Sequence, residues 1–349
     1  MNYRLPFTFV FACLSSLCIA HAQTATTDPV GVMEANVNDT ADQQLGIPFL
    51  RPPTFVSAVD TVSSNTVNVT ATVPDVTTEV HYIHITSGTL KGNWYEVTSK
   101  SNNSITVTED LQAAGLAASD SFDVRPFWTL DTLFPNGGDI PQSSDGANPD
   151  AVVMLINPTD VGVNITPSFS YFYHDGSVLA EGWYINGTAT TAGNTIISPE
   201  AYIIIRNMTS SVALTTFTGN VPTSSVVTEL VSRSAGRQDN LVYNPYPVPM
   251  KLADSQLVVD GVVRKSPDGA NPLDVVLVFS TSNTTRNATP VASYFYHDGS
   301  VLDEGWYING SATKADNVVI PAGAAFIVRR GIGADKVLSW NPSILYSVN

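Results

Sequence analysis

Short stretches in which apolar and polar residues alternate dominate this chain, and almost none repeats at the three-to-four-residue spacing of an amphipathic helix. Asn65-Thr66-Val67-Asn68-Val69-Thr70-Ala71-Thr72-Val73 and Ser104-Ile105-Thr106-Val107-Thr108 are examples. A period of two sends one set of side chains to a core and the other to water, the signature of half-buried strands. Between Phe55 and Phe134 such runs, separated by Gly, Asn and Ser clusters, read as a small antiparallel module. One helical turn is expected at Glu109-Asp110-Leu111-Gln112-Ala113-Ala114, where acidic residues precede good helix formers.

The strongest signal is a duplication. Residues 145–206 align without a gap to 268–329 at an offset of about 123, with about 35 of roughly 62 positions identical. In each copy, Ser170-Tyr171-Phe172-Tyr173-His174-Asp175-Gly176 or Ser293-Tyr294-Phe295-Tyr296-His297-Asp298-Gly299 leads into an Asp-Gly hairpin turn, where glycine adopts positive φ without steric cost. Gly182-Trp183-Tyr184-Ile185 and Gly305-Trp306-Tyr307-Ile308 are the returning strands, and a last strand ends at Arg206 or Arg329. The Pro-punctuated stretches Gly46–Pro53 and Tyr243–Pro249 precede the two units. If they correspond, residues 56–127 are an insertion into the first copy; the alternative is three modules in tandem. The expected fold is all-β, with two duplicated antiparallel β-sandwich or barrel-like units and a small β-barrel-like module inserted in or preceding the first. The expected boundaries are a signal peptide at 1–22, an N-terminal segment of the first repeat at 23–55, the module at 56–127, the first repeat at 128–212 and the second at 213–349.

Compartment follows from the leader. Arg4, an apolar run from Phe7 to Ala20, and Ala20-His21-Ala22 form the pattern of a signal peptide cleaved near Ala22. That run is shorter than the roughly 20 residues of a membrane span, and no later stretch reaches that length. A secreted or periplasmic location without a membrane span is expected. Cys13 and Cys18 both lie in the leader, so the mature chain is expected to lack disulfides and thiolate ligands, and its stability must come from burial. Sixteen Lys and Arg stand against 31 Asp and Glu, a formal charge of -15. With no basic stripe, nucleic acid and anionic membrane are poor partners.

Several motifs together resemble a paralogous family of uncharacterised secreted proteins of Verrucomicrobia. They are Thr26-Thr27-Asp28-Pro29-Val30-Gly31, Thr86-Ser87-Gly88 with Gly92-Asn93-Trp94-Tyr95, Phe127-Trp128-Thr129-Leu130-Asp131-Thr132-Leu133-Phe134-Pro135, and Gln238-Asp239-Asn240 leading into Asn244-Pro245-Tyr246-Pro247. The resemblance covers nearly the whole mature chain and implies a bacterial, exported protein. It implies no activity, and the Trp-Tyr of the hairpin departs from the more basic segment of that family.

Candidate chemistry is sparse. His81 and His84 sit three apart in a strand, where the period of two sends them to opposite faces and makes a shared metal unexpected. His174 and His297 are expected to be solvated residues beside a turn. Asp175 with Glu181, repeated as Asp298 with Glu304, is the one duplicated carboxylate pair, although each Asp already has a turn to form. Asp145-Gly146-Ala147-Asn148-Pro149 and Asp268-Gly269-Ala270-Asn271-Pro272 have oxygens for calcium but lack its alternating acidic ladder, so a plain turn is expected. Asn-x-Ser/Thr triplets such as Asn68, Asn164 and Asn287 read as strand and turn composition in a bacterium. No nucleophile elbow, metalloprotease helix or phosphate loop is present, and no catalytic, metal or cofactor-binding residue is expected. The candidate ligand-binding residues are the hairpin aromatics Tyr173, Trp183, Tyr184, Tyr296, Trp306 and Tyr307. On paired strands one subset can fill the core while the other stays outside as a platform for sugar rings or a partner. The expected function is a non-catalytic structural or binding component of the cell exterior, with a polysaccharide or another exported protein as partner. The alternatives are a carbohydrate-binding protein using the duplicated hairpin, and a hydrolase with an unrecognised site.

Overall fold

The computed structural model describes residues 28–346 except Thr77 and Pro158. The signal peptide expected at 1–22, with both cysteines, lies outside the described residues. The protein is all-β: antiparallel sheets account for nearly every regular element. The α-helices are single turns, Leu111–Ala114 and Leu130–Leu133. The first falls where acidic residues precede helix formers, capped by Asp110 Oδ1, which accepts from the Ala113 N–H at 2.9 Å. The second is held by a Thr129/Thr132 capping box, a pairing its sequence did not advertise. No helix among the described residues is long and apolar enough to cross a membrane.

Two five-stranded sheets carry the repeated sequence. The first runs Gly182–Ile185, Phe169–His174, Ala151–Leu155, Ile203–Asn207, Asp42–Leu45. The second, in the same spatial order, runs Gly305–Ile308, Ala292–His297, Asp274–Val278, Ala325–Arg330, Gln238–Tyr243. One face of the first sheet packs on two antiparallel pairs, Val30–Val37 with Ala213–Asn220 and Trp128–Thr129 with Ile196–Ile197. The second sheet packs on Thr228–Ser232 with Lys336–Trp340 and on Met250–Lys251 with Val319–Ile320. Leu45, Val153, Trp183, Ile203 and Phe217 fill the first core, and Val242, Val276, Trp306, Phe326 and Trp340 the second. Each such side chain contributes about 1.5–3 kcal/mol of burial.

The backbone bonds correspond as well. Leu130 N–H donates to Thr195 O at 3.2 Å and Leu252 N–H to Val318 O at 2.9 Å. Asp131 N–H reaches Gly193 O at 3.0 Å and Ala253 N–H reaches Asp316 O at 3.2 Å. Where the second copy passes from Tyr246 to Met250 directly, the first leaves at Phe49 and returns at Trp128. The intervening residues form two four-stranded sheets of their own, closed around Val67, Ile83, Ile105, Leu111, Phe122 and Val124. The boundary read at 212/213 falls at the start of Ala213–Asn220, a strand bonded along its length to Val30–Val37.

Candidate functional site

The hairpin aromatics pair as the alternation requires, Phe172 opposite Tyr184 and Tyr173 opposite Trp183, then Phe295 opposite Tyr307 and Tyr296 opposite Trp306. Trp183 and Tyr173 enter the main core, with Trp183 against Phe134 at a centroid distance of 5.6 Å. Trp306 enters the equivalent core with Tyr296 packed beside it. On the opposite face, where a platform was expected, Phe172 stacks on Tyr184 at 5.9 Å and Phe295 on Tyr307 at 5.9 Å, and all four are buried. Neither face stays outside. Tyr173, Trp183, Tyr184, Trp306 and Tyr307 are buried, and Tyr296 is half-buried.

The cover comes from the Asp-Gly-Ala-Asn loops. Gly146 lies so close to the Phe172 ring that a Cβ there would sit 2.8 Å from Cζ, and Gly269 stands in the same relation to Phe295. Each loop is stiffened by its aspartate: Asp145 accepts from Ala147 N–H at 2.8 Å and Asn148 Nδ2 at 3.0 Å, Asp268 from Ala270 N–H at 2.7 Å and Asn271 Nδ2 at 3.0 Å. These bonds, the asparagine amide's first, hold both carboxyls below the ordinary aspartate range. The carboxylates are thus spent on turns. No cluster of three or more His, Cys, Asp or Glu placed to hold a metal occurs among the described residues.

His174 and His297 are not solvated: each is 1% exposed. Nδ1 of His174 accepts from Gly176 N–H at 3.0 Å, and Nδ1 of His297 from Gly299 N–H at 3.0 Å, which ties each ring into its turn. The duplicated carboxylate pair is also engaged. Asp175 Oδ1 accepts from Ser177 Oγ and N–H, at 2.6 and 2.9 Å. Glu181 and Glu304 accept from Tyr173 and Tyr296 hydroxyls at 3.0 and 3.1 Å. Burial, then the Glu181 hydrogen bond, pushes Tyr173 up to about 12.

A different constellation lies between the copies. Arg206 grips Asp42 with Nε and Nη2 at 2.7 and 2.8 Å, and Arg329 grips Asp239 likewise at 2.7 and 2.8 Å. Each pair is completed by the other copy. Asn287 N–H donates to Asp42 Oδ2 at 2.7 Å while Asn164 N–H donates to Asp239 Oδ2 at 2.7 Å. Arg206 Nη2 reaches Asn287 Oδ1 at 2.7 Å and Arg329 Nη2 reaches Asn164 Oδ1 at 2.8 Å. The exchange is reciprocal, as at a two-fold isologous interface, but within one chain. Asn164 and Asn287 adopt φ 55° and 52°, a left-handed conformation that asparagine tolerates better than most residues. Sequence reasoning missed this set, although Asn164/Asn287 and Arg206/Arg329 are identical at the repeat offset.

Between these clasps lies a groove of about 720 Å³, floored by Met154, Ile204, Leu277 and Ile327 and walled by Thr166 and Thr289. A second cleft, about 740 Å³, separates the inserted module from the first unit and is lined by Arg51, Glu79, His81, Glu96, Lys100 and Asp131. Arg51 and Glu79 bridge at 2.6 Å, and His81 Nδ1 lies 2.8 Å from Glu79 O. A comparison with protein-family models and one with curated proteins both give no match.

Proposed function

We propose that the chain is a non-catalytic structural or binding component of the exterior of a bacterial cell, exported behind the leader at residues 1–22. The observation that carries this reading is that the twice-used aromatic hairpin is consumed in packing on both faces. The repeated histidines and carboxylates are likewise engaged by turns, tyrosines and ion pairs. A unit that spends its chemistry on rigidity suits a protein that works outside the cell without disulfides. The resemblance to secreted verrucomicrobial proteins points the same way. The test is to fractionate cells producing the tagged full-length chain and to assay residues 23–349 on glycan, ester and peptide substrates. A product shortened by the leader in the periplasm or medium, with no turnover, is expected. An uncleaved cytoplasmic product, or turnover of any substrate, overturns the proposal.

A second reading, a carbohydrate-binding protein, draws on the inter-copy groove. Its geometry-fixed Arg and Asn groups stand beside an aliphatic floor, a pairing that suits the polar edges and apolar faces of sugar rings. Retention on a polysaccharide panel, lost when Ala288→Trp fills the groove of a still-folded protein, is the result this reading requires. No retention across the panel removes it.

A further inference from the structure

The inserted module is tied to the rest of the chain at two places. At its root, Trp128 Nε1 donates to Phe49 O at 3.0 Å and Arg51 Nη1 to Phe127 O at 3.1 Å. Elsewhere it meets the buried segment joining the two units: Val227 N–H donates to Gly92 O at 2.9 Å, and His84 Nε2 lies 3.0 Å from Ser225 O. The walls of the cleft between the module and the first unit are thereby held in place. Its volume of about 740 Å³ falls among small-molecule sites, which run to about 300–1,000 Å³. Val97 and Ile196 give it apolar surface, and Thr98, Ser99 and Asn194 give it hydroxyls and an amide.

His81 is the residue there whose chemistry is unfinished. It opens the strand His81–Ile85, on the face whose Ile83 and Ile85 fill the module core, and it borders the cleft while only 4% exposed. Nδ1 lies 2.8 Å from Glu79 O; a carbonyl only accepts, so Nδ1 donates. Nε2 makes no hydrogen bond among the described residues, and it is not sealed in as the partnerless Nδ1 of His84 is. A polar atom so deeply placed and still open to a cleft is satisfied by what enters the cleft. A hydroxyl serves in either state of the ring, donating to the Nε2 lone pair or accepting from an Nε2 N–H. An ammonium serves only the first state, and a carboxylate only the second.

Charge selects further. Arg51 and Glu79 offset one another in their bridge at 2.6 Å. The other charges of the lining are Glu96, Asp131 and Lys100, two carboxylates against one ammonium, in a chain of formal charge -15. Such a cleft attracts a cation and repels an anion. We propose that it binds a saccharide, and among saccharides an amino sugar. His81 Nε2 takes a ring hydroxyl, Val97 and Ile196 face the ring's C–H surface, and the Glu96 and Asp131 carboxylates favour the ammonium. The inference rests on the binding half of the proposed function and puts the ligand at a site distinct from the inter-copy groove.

Calorimetric titration of residues 23–349 with a glucosamine tetramer, its N-acetylated form, a galacturonate tetramer and tri-lysine tests this. The glucosamine tetramer should bind saturably, the N-acetylated form more weakly, and the other two not at all. Asn194→Trp, which fills the cleft from an exposed position, should abolish binding. His81→Phe should weaken it about threefold to tenfold, the worth of one neutral hydrogen bond. Glu96→Gln, an exposed change that spares the fold should either of those variants unfold, should shrink the preference for the free amine. Ala288→Trp, which fills the inter-copy groove, should change nothing. No saturation by either glucosamine ligand, equal binding of galacturonate or tri-lysine, or an unchanged preference in Glu96→Gln overturns the proposal. So does affinity that survives Asn194→Trp in a folded protein, or that is lost in Ala288→Trp instead. An uncleaved cytoplasmic product would overturn the exported reading alone, so the two failures are told apart.

Discussion

Glu200 is the most informative single perturbation. It stands at the junction of the two units, where Oε2 accepts from Glu229 N–H at 3.2 Å, in a small cavity shared with Asp160, Glu229 and Asp239. Burial, against the partial relief of that N–H bond and reinforced by the neighbouring Glu229 charge, pushes its carboxyl up to about 7. The corresponding position in the second copy is Gly323, so the group has no symmetric counterpart. A carboxyl raised from 4.5 to about 7 binds its proton more tightly when folded. The unfolded chain then holds fewer protons between those limits, and stability falls as pH rises through that window. At 1.36 kcal/mol per unit, the loss is at most about 3 kcal/mol. Part of the residue reaches water, so screening reduces it from that ceiling. Glu200→Gln keeps the acceptor for Glu229 N–H and removes the titration. Urea unfolding of both proteins from pH 4.5 to 8.5 should give curves that nearly coincide at the acid end and diverge with pH, the variant becoming the more stable. A difference that stays constant over that range would refute the reasoning.

The clasps give a second prediction. Arg206→Ala and Arg329→Ala each strand a carboxylate that is 3% or 1% exposed, Asp42 or Asp239, and should cost about 3–5 kcal/mol by denaturant unfolding. Because the clasps are reciprocal, the two losses should be similar in size; a negligible loss in either argues against its role. The loop cover gives a third: Gly146→Ala and Gly269→Ala, forced against the Phe172 and Phe295 rings, should each lower stability by about 1–3 kcal/mol. Thermal melts showing no change would mean that the loops give way freely.

How much of this was legible depended on whether the controlling contacts were local. Alternation located the strands and the aromatic runs located both hairpins, because period acts over a few residues, but the Asp-Gly pair does not close them as a tight turn: His174 pairs with Gly182 and His297 with Gly305, leaving seven-residue loops at 175–181 and 298–304. The burial of Phe172 and Tyr184 was not legible, since alternation leaves the second face of a strand to water unless something covers it. Here the cover is the Asp145 loop over Phe172, which reads as an ordinary surface turn, and the hairpin's own loop beside Tyr184, where Leu179 packs and Ala180 O accepts from the tyrosine hydroxyl. His174 was misplaced for the same reason: a residue beside a turn looks solvated until that loop closes over it. The clasps were hidden differently. Asp42 and Arg206 are 164 residues apart in sequence, and the insertion displaces Asp42 from the repeat offset that aligns Arg206 with Arg329. The two-copy alignment therefore begins too late to include it.

That displacement also predicts what the inserted residues are for. An insertion is tolerated where its two ends lie together, and here Trp128 Nε1 donates to Phe49 O at 3.0 Å while Arg51 Nη1 reaches Phe127 O at 3.1 Å. The first unit is closed without the module, since its core draws on residues 33–49 and 128–221 alone. Replacing residues 50–127 with the Pro-Val-Pro that joins Tyr246 to Met250 should therefore leave both five-stranded sheets intact by circular dichroism. It should also uncover Val226 and Val227, which at about 1.5–3 kcal/mol of lost burial each makes residues 221–227 the preferred site of limited proteolysis. A shortened chain that cannot fold would mean that the module belongs to the first unit's folding. One that folds and resists cleavage at the joining segment as well as the full chain would mean that the module's contacts with Ser225 and Val227 are incidental.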